Sequence, residues 1–156
     1  MNKGLSRQKL ISIGVGVAIF DQITKLFIIN TLNNFETITF IPYILALSLV
    51  KNTGAAFSLF QNSTNLLTFL SFLVTSLLIL WIWNNEPFNF FQGIGIALLL
   101  GGALGNGIDR IRLGYVIDFI VLIPIDFPIF NIADISINMA ILIIFLDIFR
   151  RKGIRK

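Results

Sequence analysis

The sequence predicts an all-α membrane protein with four transmembrane helices and a small extracytoplasmic β platform. Three observations carry that prediction. Hydrophobic residues fill 56% of the 156 positions and charged residues only 13%, against about 45–50% and about 25% in soluble domains. The mean hydropathy is +0.87. The apolar residues gather into four stretches, each near the roughly 20 residues that cross a bilayer as a helix. This composition excludes a water-soluble globule and a disordered chain, and the length suits a single integral membrane domain over residues 1–156.

The first expected span is Leu10–Ile29, interrupted by Asp21, Gln22 and Lys25. Charge breaks its apolar run and no small-residue cleavage pattern follows, so it is not read as a cleavable signal peptide. Two short segments come next, Thr37–Phe40 and Leu45–Val50. Both are rich in β-branched and apolar residues and are parted by Pro42, which predicts two strands. Asn52-Thr53-Gly54 then reads as a turn. Leu66–Trp83 is the second span and carries no charge. Phe88–Gly105 is the third, opening just after Pro87. Ile132–Phe149 is the fourth, with Asp134 near its start and Asp147 near its end.

Charge sets the expected orientation. The two tails hold eight Lys and Arg: Lys3, Arg7, Lys9, Arg150, Arg151, Lys152, Arg155 and Lys156. The segments 30–65 and 106–131 hold only Lys51, Arg110 and Arg112. Basic residues stay on the cytoplasmic side, so both termini are expected there and both long segments outside. Trp81 and Trp83 then fall at the cytoplasmic interface, where indoles are favoured. A formal charge of +4 and a pI of about 9.8 could suggest nucleic acid in a soluble chain. Here the cations cluster at the ends, which fits a membrane surface and no nucleic-acid partner.

The chain contains neither Cys nor His. Thiol nucleophiles, thiolate metal sites and Ser-His or Cys-His catalysis are therefore excluded. Carboxylate, lysine, hydroxyl and amide chemistry remain. Ionisable residues inside a membrane are costly and mark function, so they are the candidates. Gly14, Ala18, Asp21 and Lys25 share one face of the first span, turning the last two toward the bundle. That face is equally explained by an ion pair one turn apart. Gly93, Ala97, Gly101 and Gly105 make a small-residue packing face on the third span. Asn106, Asp109 and Arg110 follow it, and Asp109 with Arg110 reads as a surface pair.

Asp118 lies in the apolar run Tyr115–Leu122, and Asp134 follows sixteen residues later in Phe130–Ile135. Pro124 and Pro128 keep the two off one continuous helix. Two buried carboxylates sharing one proton supply an acid and a base near neutral pH. Structural explanations stand beside that one. Asn131 as a helix cap puts Asp134 in the first turn, and Asp118 could pair with Arg110 or Arg112. Asp21, Asp109 and Asp126 remain possible members of such a pair. On the residues alone, a proton or cation relay through Asp21, Asp118 and Asp134 is also open. So are a helix-pairing assembly factor, and a serine–lysine protease using Ser58 with Lys51 or Lys25.

Four motifs occur in order along most of the chain. They are Asp21–Lys25, Asn52–Ser58, the run Gly105–Arg110 with Gly114–Phe119, and Phe130–Asp134. Together they resemble the lipoprotein signal peptidase family, also called prolipoprotein signal peptidase or signal peptidase II. By motif the family's two catalytic aspartates fall on Asp118 and Asp134. Its supporting polar positions fall on Asp21, Asn52, Asn106, Arg110 and Asn131, and Lys25 and Gly54 join them as supporting candidates. The stretch Ile120–Pro124 is more apolar than the family pattern. The resemblance implies an intramembrane aspartyl endopeptidase of the bacterial cytoplasmic membrane, with its active site near the outer face. It would cut prolipoproteins just before a diacylglyceryl-modified cysteine. No metal or cofactor is expected. The expected partners are those substrates and membrane lipids, and the chain is expected to act as a monomer.

Overall fold

A computed structural model describes residues 4–33, 36–54, 60, 63–85 and 87–154. The elements run α1 (Arg7–Thr31), β1 (Thr37–Ile41), β2 (Leu45–Asn52), α2 (Thr64–Asn84), α3 (Phe90–Leu113), β3 (Val116–Leu122) and α4 (Ile132–Ile154). Each of these helices is long and apolar enough to cross a membrane. α3 is central: most of its apolar window is buried, while α1, α2 and α4 leave most of theirs exposed. Their outward faces carry Phe20, Phe27, Phe72, Leu80, Phe145 and Phe149. Such surfaces suit a hydrocarbon surround that offers no water to solvate them.

The small residues of α3 let its neighbours approach. A Cβ on Gly101 would lie 2.5 Å from Val17 Cβ and 2.6 Å from the Gly14 carbonyl oxygen. On the other side of the helix, a Cβ on Gly102 would lie 2.6 Å from the Ala133 carbonyl oxygen. Gly therefore sets how close α1 and α4 come to α3. At the end where α1 begins and α4 finishes, Leu5 N–H donates to the Phe88 carbonyl at 2.9 Å. Buried Asp147 pairs there with Arg150 (2.9 Å) and Arg151 (2.7 Å).

The three strands form one antiparallel sheet in the order β1-β2-β3 at the opposite end. Val50 faces Asp118 and Asn52 faces Val116. The ladder slips between Leu47 and Val50. Ile117, Phe119 and Ile120 pack with Ile28 and Leu32 at the end of α1, seating the sheet on the bundle.

Both expected strands are present, each slightly longer than the sequence indicates. Two expectations need correction. The sequence places the third span at Phe88–Gly105, but α3 begins at Phe90 and runs on to Leu113. Asn89 caps its start by accepting the Gln92 N–H at 3.0 Å. Gly114, at φ 79°, ends it in the left-handed conformation that Gly adopts without strain. The polar run Asn106–Arg110 continues the helix because its buried members find polar partners. Val116–Leu122 is also a strand, not simply an apolar run at the membrane edge. Its first five residues are all buried, so it lacks the alternation that betrays a half-exposed strand.

Candidate active site

The site lies where α1 and α3 end, β3 passes and α4 begins. Its floor is ionic. Asp21 and Lys25, one turn apart on the inner face of α1, are buried and paired at 2.8 Å. Lys25 Nζ also lies 2.9 Å from Asp109 Oδ2 and donates to Asn106 Oδ1 at 3.0 Å. Those three acceptors match the three N–H donors of an ammonium. Asp109 is therefore not the surface partner of Arg110: it is buried, at 3% exposure. Its Oδ1 accepts from Gln22 Nε2 at 2.8 Å and its Oδ2 from the Ile117 amide at 3.0 Å. A Cβ on Gly105 would lie 2.6 Å from Asp21 Oδ2, so only Gly leaves that carboxylate its place.

Above the ion triad stands a cage of amides. Asn106 Oδ1 accepts from Lys25 and from Asn131 Nδ2 (3.1 Å), which turns its own Nδ2 onto Asp134 Oδ1 at 2.8 Å. Asn52 Oδ1 accepts the Gly54 amide at 2.9 Å, which turns its Nδ2 onto Asp118 Oδ2 at 2.7 Å. Asn131 serves both acids. Its Nδ2 donates to Asp118 Oδ1 at 2.6 Å and its backbone N–H to Asp134 Oδ2 at 3.2 Å. Asp134 N–H returns a bond to Asn131 Oδ1 at 2.9 Å. This reciprocal pair is a capping box, so the cap expected from sequence and the two-carboxylate arrangement coexist.

The two acids differ in surroundings. Asp118 is buried, at 2% exposure, whereas Asp134 is partly exposed. Burial pushes the Asp118 carboxyl up to about 7, and the nearby charge of Asp134 adds to the rise. Hydrogen bonds from Asn52 and Asn131 and the charge of Lys25 oppose it. A carboxyl in that range can hold or release a proton near neutral pH.

Of the expected residues, Asp118, Asp134, Asn52, Asn106, Asn131, Asp21 and Lys25 join one continuous network. Arg110 does not hydrogen-bond either acid. It donates to Ser71 Oγ at 3.4 Å and to the Gly54 carbonyl at 3.2 Å, tying α3 to α2 and to the turn after β2. Arg112 reaches Gln22 Oε1 at 3.5 Å, so neither arginine makes the ion pair suggested with Asp118, although Arg110 faces both acids. Ser58 and most of the motif Asn52–Ser58 lie outside the described residues. Lys25 has its donors committed to acceptors and offers no lone pair to a serine. Lys51 lies 5.4 Å from the Tyr115 ring centroid. Among the described residues, no three His, Cys, Asp or Glu side chains could hold a metal ion.

Asp109, which the sequence leaves open as a member of the acid pair, and Gln22 are the network members whose supporting role sequence reasoning missed. A usable signal existed: the stripe Gly93, Ala97, Gly101, Gly105 reaches Asp109 at the next step of four.

The chain matches known proteins along nearly its whole length. The profile of the family described as Signal peptidase (SPase) II matches residues 13–150. A lipoprotein signal peptidase of Parasynechococcus marenigrum (strain WH8102) is 47% identical over 145 residues, covering 93% of this chain and 91% of the relative. One from Staphylococcus aureus (strain bovine RF122 / ET3-1) is 34% identical over 148 residues, covering 94% and 91%. A bacterial membrane enzyme solved by the in meso method at 2.3 Å superposes with a TM-score of 0.91 at 33% identity, covering 100% of this chain and 96% of that one. A second, solved at 1.9 Å, gives 0.83 at 34% identity, covering 95% and 97%. With a family match across most of its length, this chain belongs to the signal peptidase II family, the lipoprotein signal peptidases, as a multi-pass bacterial membrane protease that removes signal peptides from prolipoproteins.

Proposed function

We propose that the chain is an intramembrane aspartyl endopeptidase whose catalytic pair is Asp118 and Asp134, and that it cuts just before a diacylglyceryl-modified cysteine. The observation that carries this reading is the bridge of Asn131 between two carboxylates of unequal burial. Partly exposed Asp134, in the first turn of α4, acts as the ionised base, since helix N-terminal amides favour negative charge. Buried Asp118, with its raised proton affinity, acts as the acid.

In the reaction, Asp134 takes a proton from water as the water oxygen bonds to the scissile carbonyl carbon. Asp118 gives its proton to the carbonyl oxygen, forming a neutral tetrahedral diol. Asp134 then passes its proton to the amide nitrogen, and the C–N bond breaks. One hydroxyl of the diol returns its proton to Asp118 as the carboxyl product forms. No covalent intermediate is required. Asn52, Asn106 and Asn131 orient the pair, and Asp21 and Lys25 support them from below. Arg110 holds Gly54 and the turn beside the pair.

The start of α1 and the end of α4 lie at the opposite end of the bundle from the site. With eight tail cations against three in the two long segments, both termini are cytoplasmic and the site faces outward. In this reading the chain acts as a monomer. The test is cleavage of a precursor peptide in detergent, with and without diacylglycerol on its cysteine, the products read by mass spectrometry. Cleavage immediately before the lipidated cysteine, with the unmodified peptide left intact, is the expected result. Equal cleavage of both forms, or cleavage elsewhere, contradicts the reading, and no cleavage of either favours a relay.

A further inference from the structure

We propose that Asp109 is a positioning residue for the catalytic pair, forming with Asp21 a two-armed clamp on Lys25 that sets where Asp118 and Asp134 stand. The inference rests on the reading of those two residues as the catalytic pair. Each arm ends on the backbone just before one of them. Asp109 Oδ2 touches Lys25 Nζ at 2.9 Å and accepts the amide of Ile117, the residue preceding Asp118, at 3.0 Å. Asp21 touches Lys25 through Oδ2 at 2.8 Å and through Oδ1 accepts the amide of Ala133, the residue preceding Asp134, at 2.9 Å.

One backbone bridge also joins the two segments, with the Phe119 and Ile120 amides donating to the Phe130 carbonyl at 3.0 and 2.8 Å; the clamp adds a hold on the residue before each acid. The pair is separated along the chain by a segment holding Pro124 and Pro128, which cannot be a rigid helix. The strand ladder slips beside the Val50–Asp118 pairing, so regular strand register does not fix Asp118 alone. Ala133 N–H belongs to the first turn of α4, whose amides lack intrahelical partners. Gly114 turns the chain so that β3 starts back over Asp109. The third Lys25 contact, to Asn106, reaches Asp134 Oδ1 as well.

The test compares Asp109→Asn with wild type and with Asp118→Asn, as full-length protein in detergent. An amide at 109 sets a donor against Gln22 Nε2 on one side, or against Lys25 and the Ile117 amide on the other. The expected result is a fall in kcat of about a hundredfold, the scale of an ångström-sized misplacement, with KM within about threefold. A pH readout separates positioning from mere folding. Asp118 is faced by Asp134 from α4, Lys25 from α1, Arg110 from α3 and Asn52 from β2. If the pair spreads, Asp118 loses the repulsion of Asp134 and the alkaline limb of the profile moves to lower pH. A variant with wild-type kcat per folded molecule and an unmoved alkaline limb overturns the clamp, while an inactive Asp118→Asn beside it leaves the catalytic pair standing. An active Asp118→Asn overturns the pair itself. If Asp109→Asn does not fold, hydrogen exchange on wild-type protein decides. The Ile117 and Ala133 amides must exchange as slowly as interior helix amides, and rapid exchange at either overturns the clamp.

Discussion

Replacing Lys25 by Met removes the ammonium that two buried carboxylates share, and the geometry sets the ranking of costs. Asp21, Lys25 and Asp109 are at most 3% exposed, and together they carry a formal charge of −1. Each contact near 2.8–2.9 Å is worth about 6 kcal/mol before desolvation, at an effective dielectric of about 20. Desolvation cancels most of that, and stranding a buried charge nets about 3–5 kcal/mol. Lys25→Met strands two such charges and belongs at the upper end. Asp21→Asn leaves Lys25 balanced by Asp109 and keeps an oxygen for the Ala133 amide, so the loss is about 1.5–3 kcal/mol. At roughly 2–4 °C per kcal/mol for a chain of this size, Lys25→Met lowers Tm by about 10–20 °C and Asp21→Asn by several degrees less. An isolated Asp21–Lys25 pair makes the double variant milder than either single change. The triad makes it worse than Asp21→Asn alone, because Asp109 is left unbalanced. Thermal unfolding in detergent, followed by Trp81 and Trp83 fluorescence, ranks the three variants. A double variant more stable than Asp21→Asn would refute the triad.

Stability should also respond to pH through Asp118. Its carboxyl is raised to about 7 in the folded protein, so the fold binds a proton that the unfolded chain releases above about pH 4. Stability therefore declines as pH rises from about 4 to about 7 and levels off above, and Asp118→Asn flattens that slope in Tm measured against pH. The Asn52 hydrogen bond favours the ionised form, so Asn52→Ala moves the alkaline limb of activity to higher pH. Gly105→Ala puts a Cβ 2.6 Å from Asp21 Oδ2 and costs about 1–3 kcal/mol. Gly16→Ala meets nothing within 4 Å and should gain about 0.5–1 kcal/mol in the same melts. Cysteines placed at Lys3 and Lys156, in a chain that has none, should resist an impermeant thiol reagent until cells are lysed. Labelling of either in intact cells contradicts the four-span orientation.

Much of this architecture is legible in the order of the residues. The apolar runs mark all four helices because a hydrocarbon surround demands continuous apolar length. The β-branched segments around Pro42 mark β1 and β2. β3 is hidden because its buried residues, Val116 to Ile120, read as one apolar run, and what makes them a strand is pairing with β2. The end of α3 is hidden because Asn106 and Asp109 look unfit for a membrane helix until their partners on α1 and α4 are known. Asp109 reads as a surface acid for the same reason: its burial is made by Lys25, Gln22 and the Ile117 amide. Asn52 meets Asp118 from 66 residues away along the chain, and Asn106 meets Asp134 from 28. Motif order could point to those residues, but their hydrogen bonds come only with the fold.

The most direct test of the catalytic pair is turnover of a lipidated precursor by Asp118→Asn and by Asp134→Asn, each verified as folded, beside Ser58→Ala. Asn preserves shape but neither accepts the proton from water nor donates one to the carbonyl. Each Asp variant should therefore lose at least about a hundredfold in kcat, while Ser58→Ala retains measurable turnover. An active Asp118→Asn or Asp134→Asn, with Ser58→Ala inactive, would contradict the aspartyl mechanism.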